Sequence, residues 1–516
     1  MRGKFVPAAV VLLLAWNSQC FAVNTRHGDA VPLDTHHEAT TVLPLPSAAI
    51  RSELTQQLME VAMTGIHPVF ADIWLQLIRR PELAQEPETY YRIYTLLRQF
   101  RREWHALDWD SRERFHLKKF NPSAPALSRH EYVLLLHRTD AETYINKLRP
   151  HTMSYLDSRR VLLSLLSESR KAPWPELPSV KVKPGEQNTV LPLFRNVLLR
   201  NGDLQSGALT DEQMGQPDYD AVTVQAVKHF QQRHGLEADG VIGHRTLKWL
   251  RLPPQVRAVI LARSILRSDL PQNISSRRYV LVNIPEFRLR VLDKQQEIFS
   301  SRVIVGQTQR QTPILSSEIS SVVVNPAWHV PESILQKDLV PKLQKDKHFL
   351  DKGQFELVDS QGMTVAPEAM VWDGTEENFP YRLRQKPGDH NALGRYKFYL
   401  PNNDAIYLHS TSSPAYFNRD LRALSSGCVR VEEADDFARL LLKGSKWNIT
   451  KLEQMLKEDT TKWLSVPDPV PVYTVYWRSW VDKQGQLQFR DDIYQFDDDA
   501  DMANTAVMTS LIGQHS

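Results

Sequence analysis

Apolar residues between Leu43 and about Ser169 recur at helical spacing, as in Leu54, Leu58, Val61 and Ala62, or Tyr91, Tyr94, Leu97 and Phe100. The pattern predicts a helical domain over residues 40–180, with Arg and Glu on the solvated faces. From Lys171 through Pro173, Pro175 and Pro184-Gly185, repeated helix breakers predict a linker. Residues 188–252 then read as a compact three-helix module: the helix through Val227 and Phe230 should stop at Gly235, and Asp239-Gly240 should turn the chain into the next helix.

After one more helix, about Pro254–Arg267, the period changes. Tyr279–Ile284 and Arg288–Leu292 are β-rich runs, and Asp293-Lys294-Gln295-Gln296 separates the second from Ile298–Val305 as a hairpin turn does. Ile319–Asn325, Tyr396–Tyr399 and Ala405–His409 extend the sheet. A final hairpin, Val470–Trp480 with Leu487–Tyr494 across Gly485, is expected to return to it. The excursion from about Trp328 to Pro387 holds a helix from Pro331 toward Leu343 and a short hairpin at Phe355–Val358 and Ser360-Gln361-Gly362, and its length predicts a lid. The expected fold class is thus α+β multidomain. It comprises a helical scaffold (40–180), a small three-helix module (188–252), a mostly β domain (276–465) with a lid inserted at about 328–387, a C-terminal hairpin (466–496) and an acidic, disordered tail (497–516).

The 516 residues suit about three domains. A 42% apolar content, with 12 Trp, 16 Tyr and 18 Phe, fills sizeable cores, and no internal run reaches the roughly 20 apolar residues of a membrane span. At the N-terminus, Arg2 and Lys4 precede an apolar stretch from Phe5 to Trp16, and Cys20-Phe21-Ala22 places small residues where signal peptidase needs them. Residues 1–22 are therefore expected to be a cleaved export signal, with an N-terminal anchor as the alternative; Asn17-Ser18-Gln19 lacks the Leu and small residue of a lipidation signal. A net charge of +3 gives no footprint for nucleic acid or an anionic membrane. Asp497-Asp498-Asp499, with Asp501, reads as a solvated acidic end.

Once the signal is removed, Cys428 is the sole cysteine, so no internal disulfide forms. A free thiol in an oxidising compartment is a candidate for use. His409 ends an apolar strand; Cys428 follows Ser425-Ser426-Gly427, and Glu432–Leu442 reads as a helix after it. A cysteine at a strand-to-helix turn meets exposed N–H groups and the positive helix end, and a nearby imidazole can take its proton, so a thiolate is expected. Gly427 permits close backbone approach, and the amides of Gly427 and Cys428 could face an oxyanion, a donor of this kind being worth about 3 kcal/mol. The alternative is a core histidine and a packing cysteine. No HExxH or paired-cysteine spacing appears, and neither metal nor cofactor is expected.

Two resemblances narrow these alternatives. Phe230-Gln231-Gln232 with Gly235-Leu236, then Asp239-Gly240, Gly243 and Thr246, resemble the peptidoglycan-binding domain type 1, which implies wall binding; a spacer that no longer binds glycan is the alternative. His409, a spacer and Ser425-Ser426-Gly427-Cys428-Val429-Arg430 resemble the YkuD-type L,D-transpeptidase family. Ser426 stands where that family usually has a second histidine and Arg430 where it usually has asparagine, and both are the expected form in its large YcbB-type branch. The local match includes Asn391–Phe398, and the domain order agrees.

The resemblance implies that Cys428 is the acylated nucleophile and His409 its base and later acid. It further implies that the Ser410 carbonyl orients the imidazole. Tyr407 either helps the oxyanion site or packs. Arg430 and Arg395 are candidates for stem-peptide carboxylates, with Arg430 alternatively bracing the loop, and Ser426 joins the substrate site. The implied reaction is attack on the bond between diaminopimelate and the terminal D-alanine of a tetrapeptide stem, then 3→3 crosslinking to an acceptor stem, in the periplasm. It would make the protein a carbapenem target. The rivals are an L,D-carboxypeptidase and a non-catalytic wall-binding scaffold. Donor and acceptor stems are the expected partners, with cell-wall synthesis enzymes as further candidates.

Overall fold

The computed structural model describes residues 42–497, apart from 118–119, 123–126, 153, 271–273, 275–276, 347, 373–378, 448 and 459. The expected export signal, with Cys20, and the tail after Asp497 lie outside them. No helix of the described residues is long and apolar enough to cross a membrane.

The helical periodicity materialises as helices such as Ala48–Thr64, Pro87–Ala106 and Tyr155–Ser169. Ser47 caps the first by accepting the Ile50 N–H at 3.3 Å. Leu54, Leu58, Tyr94, Leu97 and Phe100 share one core. The charged residues are not all solvated, as the periodicity had suggested. Arg159 is buried and reaches Glu53 at 2.7 Å and Glu60 at 2.5 Å, because the charged faces of two helices meet each other rather than water.

The module has four helices rather than three: Leu191–Arg200, Asp211–Gly215, Ala221–Arg233 and His244–Leu250. The short extra one is held by a capping box between Thr210 and Gln213. The expected linker is packed down, with Trp174 between the guanidinium groups of Arg200 and Arg257 (4.7 and 4.9 Å) and Val182 bridged to Ile242. The helix Pro254–Arg267 is buried almost throughout.

In chain order the strands are β1 (Arg278–Asn283), β2 (Arg288–Asp293), β3 (Gln296–Gly306), β4 (Ser316–Val324), β5 (Trp328–His329), β6 (Phe355–Val358), β7 (Thr364–Val365), β8 (Arg382–Gln385), β9 (Tyr396–Tyr399), β10 (Leu408–His409), β11 (Ala423–Ser425), β12 (Val429–Val431), β13 (Lys462–Val475), β14 (Ser479–Val481) and β15 (Leu487–Phe489). The main sheet runs β11-β3-β12-β10-β9-β4-β13-β1-β2, and β2 also pairs with β3, closing the sheet on itself. Lys294 and Gln295, both at positive φ (48° and 68°), make the β2–β3 turn. Inward positions such as Val282, Leu289, Val303, Phe398, Leu408 and Val429 form the core, which the helix Ala434–Leu441 completes through Phe437, 4.6 Å from Phe398.

Two C-terminal expectations are corrected. β13 joins the closed sheet, but β14 and β15 pair only with each other and turn to the module, where Phe489 enters its core. Asp497 is no solvated tail residue: it is 4% exposed and meets Arg267 at 2.7 Å, Arg478 at 3.1 Å and Arg263 at 3.3 Å. Burial opposes its ionisation, but Arg267 and Arg478 outweigh that and hold the carboxyl below the usual range.

The excursion builds its own sheet, β5-β8-β6-β7, and its own core around Leu335, Val340, Leu357 and Leu383. Its helix widens to a π-turn at Leu335–Leu339, just before Pro341, which has no N–H to donate. Asn391 pins both ends of the insertion by donating to the carbonyls of Pro326 (3.0 Å) and Lys386 (2.8 Å).

Candidate active site

The strand register assembles the site. β10 pairs with β12 in parallel, His409 opposite Arg430, and with β9 antiparallel, His409 opposite Lys397. Because side chains alternate, Leu408, Val429 and Phe398 point inward, and Lys397, Tyr407, His409, Cys428 and Arg430 share the outer face. The cysteine loop is braced from below. Ser425 Oγ donates to the Cys428 carbonyl (2.6 Å) and accepts the Gly427 N–H (3.1 Å), while Thr312 Oγ1 donates to the Gly427 carbonyl (2.7 Å). Gly427 is at φ 119°, and a Cβ there would lie 3.2 Å from Ile406, so the turn demands glycine.

Two expectations about the thiol are overturned. The Gly427 amide is not free to serve an oxyanion, because it already donates to Ser425 Oγ. Nor does Cys428 begin a helix: β12 follows it directly and the helix starts only at Ala434, beyond the reach of a helix dipole. Burial accordingly pushes the thiol up, opposed in part by the Tyr407 backbone and by Lys397. His409, 4% exposed, is pushed down to about 3, first by burial, then by Arg430. The resting pair is a neutral thiol and a neutral imidazole rather than an ion pair.

Ser410 is pinned, its Oγ donating to the Leu393 carbonyl (2.9 Å) and accepting the Tyr396 N–H (2.9 Å). The carbonyls of Ser410 and Leu393 favour protonation of His409, but neither meets Nδ1 in hydrogen-bond geometry, and Nδ1 is buried without a partner. The Tyr407 ring lies between the Lys397 ammonium, 4.0 Å from its centroid, and the His409 ring at 5.7 Å. Burial pushes the Tyr407 hydroxyl up, as does its neighbour Cys428, while Trp328 acts the other way. The Arg430 side chain makes no hydrogen bond or ion pair among the described residues, so it does not brace the loop. Ser426 is exposed and accepts from Arg310 (3.0 Å), whose guanidinium also holds Asp338 of the lid's π-turn at 2.9 Å. Arg395 is not part of this group: it pairs with Asp389 (2.8 Å) and Asn325 (3.1 Å) and does not line the cleft.

The cleft over Cys428 encloses about 630 Å³. One wall is the inserted subdomain, with Trp328, Ile334, Lys337, Lys342 and Lys345; the floor is Tyr407, His409, Cys428 and Arg430. Lysines and Arg430 outnumber Asp338 and Asp404, which suits an anionic peptide. Sequence reasoning missed Lys397, Trp328 and Arg310. A lysine inside the apolar run Tyr396–Tyr399 was a signal for the first; the other two become visible only when the lid and the loop after β3 meet the site.

A separate cluster, His105, His151 and Asp269 in the scaffold, has metal-ligand chemistry within 4.8 Å. Its carboxylate, however, is already taken by His105 (2.8 Å), the His151 N–H (2.7 Å) and Arg101 (3.4 Å), so it serves as a buried polar knot.

Residues 277–449 match the family described as "L,D-transpeptidase catalytic domain", and 198–250 the one described as "Putative peptidoglycan binding domain". A "Putative L,D-transpeptidase" of Haemophilus influenzae is 40% identical over 224 residues, 43% of this chain and 45% of the relative. The chain thus matches about half the length of that relative. Among solved structures, L,D-transpeptidases from Xylanimonas cellulosilytica and Stackebrandtia nassauensis align with 58% of this chain and with 99% and 98% of their own, each at 14% identity, with TM-scores of 0.17 and 0.21. Those scores are too low to add weight. The closed sheet that presents His409 and Cys428 thus falls within the stretch matching the L,D-transpeptidase catalytic domain, and the four-helix module within the stretch matching the peptidoglycan-binding domain.

Proposed function

We propose that this protein is a periplasmic, wall-associated L,D-transpeptidase that forms 3→3 crosslinks between peptidoglycan stems. The observation that carries the reading is the placement of His409 and Cys428 on one outer face of the sheet, beneath a structured lid. Cys428 is the nucleophile. In the resting cleft it is a thiol, so His409 takes its proton as sulfur attacks the carbonyl of the diaminopimelate–D-alanine bond. The Cys428 N–H and the Tyr407 hydroxyl are the nearest candidates for the developing oxyanion, since Gly427 is already engaged. His409 then gives the proton to the departing D-alanine, leaving a thioester on Cys428.

The side-chain amine of diaminopimelate in a second stem attacks the thioester and loses a proton to His409; the C–S bond breaks, His409 returns the proton to the Cys428 sulfur, and the crosslinked product leaves. Arg430, without a partner among the described residues, suits a stem carboxylate, and Lys397 favours negative charge on sulfur. The lid excludes the water that would otherwise hydrolyse the thioester.

The test uses purified protein and tetrapeptide muropeptides. Intact-mass analysis is expected to show a carbapenem adduct that is lost in Cys428→Ala, and muropeptide analysis to show 3→3 dimers. Dimers formed equally by Cys428→Ala would overturn the mechanism. Tripeptides alone would make the protein an L,D-carboxypeptidase, and inert substrate with intact binding would make it a scaffold.

A further inference from the structure

A second cleft, of about 450 Å³, lies on the same outer face over β2 and β3, where the closed sheet, the β14–β15 hairpin and the wall-binding module meet. It is lined by five arginines and three carboxylates. Arg290 is occupied by Glu286 (2.5 Å) and Glu297 (3.1 Å), and Arg302 by Glu432. Arg288, Arg422 and Arg490 form no ion pair among the described residues. Arg422 donates to the carbonyls of Val303 (3.2 Å) and Arg419 (2.7 Å), and Arg490 to that of Arg233 (3.0 Å). The carboxylates thus serve Arg290 and Arg302 directly, and Arg288 is left facing the hollow without a carboxylate of its own.

The position links two activities. Gly235 ends the long helix of the module at φ 62°, and a Cβ there would lie 2.6 Å from Cδ of Arg490, so this glycine seats the module directly on the arginine cleft. On the other side, Arg302 lies two residues along β3 from Ile304, the register partner of Arg430. From Cys428 to Glu432, the residue that holds Arg302, the chain advances four residues, roughly 13 Å. An extended stem peptide of four residues has about the same reach.

We propose that this arginine cleft is a second binding site, for free carboxylates of peptide stems on the wall polymer, and that it anchors a neighbouring stem while another reacts at Cys428. This rests on the reading of the protein as a peptidoglycan transpeptidase. The Arg288 guanidinium, with no side-chain partner among the described residues, supplies a bidentate donor for a carboxylate, the carbonyl-held Arg422 and Arg490 add positive charge beside it, and Trp480, flanked by Arg490 at 4.8 Å and Arg290 at 5.9 Å, gives the cleft a rigid side wall.

The experiment uses full-length Cys428→Ala protein, so that nothing turns over, titrated with soluble glycan oligomers bearing tetrapeptide stems. Arg288→Gln is expected to weaken binding about tenfold, and Arg288→Lys, which keeps the charge but not the fork, to restore only part of it. In parallel, Arg288→Gln with Cys428 intact should react with a carbapenem at the unchanged rate. Oligomers with amidated carboxylates should bind like the Arg288→Gln variant. Equal affinity of Arg288→Gln and its parent, equal binding of peptide-free glycan, or full competition by millimolar inorganic phosphate would each overturn the assignment. Failure of carbapenem labelling in the parent enzyme would instead count against the transpeptidase reading itself.

Discussion

A neutral, buried His409 makes a sharp prediction about acid. Its folded value, about 3, lies below the ordinary 6.5, with burial as the main cause and Arg430 second. Between those values the unfolded chain binds a proton that the folded chain does not, so stability is full above about pH 6.5 and is lost as pH falls toward 3. Each pH unit in that window is worth about 1.4 kcal/mol. Moving from pH 7 to pH 4 should therefore cost about 3 kcal/mol through His409 alone. The perturbation is His409→Gln, which keeps a polar group of similar reach but cannot titrate. Urea unfolding followed by tryptophan fluorescence, at pH 7 and pH 4, should show the parent losing about 3 kcal/mol more than the variant. The same chemistry governs reactivity: carbapenem acylation of the parent should show no fall between pH 7 and pH 5 from protonation of the base. Identical pH dependence of stability in parent and variant, or an acylation limb centred near 6.5, would refute the reasoning.

Three other outcomes are expected. Lys397→Met removes a cation that lowers the Cys428 thiol, so alkylation by iodoacetamide at pH 8 should slow by about tenfold, with Lys397→Arg recovering part of the rate. Asp338→Asn breaks the link from the lid to Arg310 and hence to Ser426, and should raise the tripeptide-to-dimer ratio several-fold in muropeptide digests while leaving Cys428 labelling intact. Asp497→Asn leaves three buried arginines short of their counter-charge and should lower stability by about 3–5 kcal/mol, read as a fall in the thermal midpoint.

Much of the architecture was legible because periodicity and turn chemistry are local. The helix through Phe100, the strand pair around Lys294-Gln295 and the stop at Gly235 follow from neighbours a few residues away. The thiol and imidazole were legible for a different reason, a resemblance carried by Ser425–Arg430. Two misses were local, the Ser425 hydroxyl turning back onto the Gly427 amide two residues on and a strand rather than a helix directly after Cys428; the others were not. Burial, with the Arg430 charge second, decides the charge of His409, and neither can be read from the short strand that carries it. Arg395, next in sequence to a site strand, turns out to hold Asp389, while Lys397, two residues on, enters the site. Asp497 looked like a tail because acidic runs usually are; three arginines from distant segments make it an anchor.

The helix Pro254–Arg267 gives Val259 and Ile260 to the core of the wall-binding module, Leu261 and Ile265 to a scaffold core, and Ser264 as acceptor to the Ser479 N–H of the final hairpin at 3.1 Å. A shared beam of this kind works as a caliper. On the proposed reading, a grip on the polymer at the module and a weld at the cysteine would be held at one spacing, and successive links in a mesh would be laid at a repeatable pitch rather than wherever a tethered enzyme happened to swing.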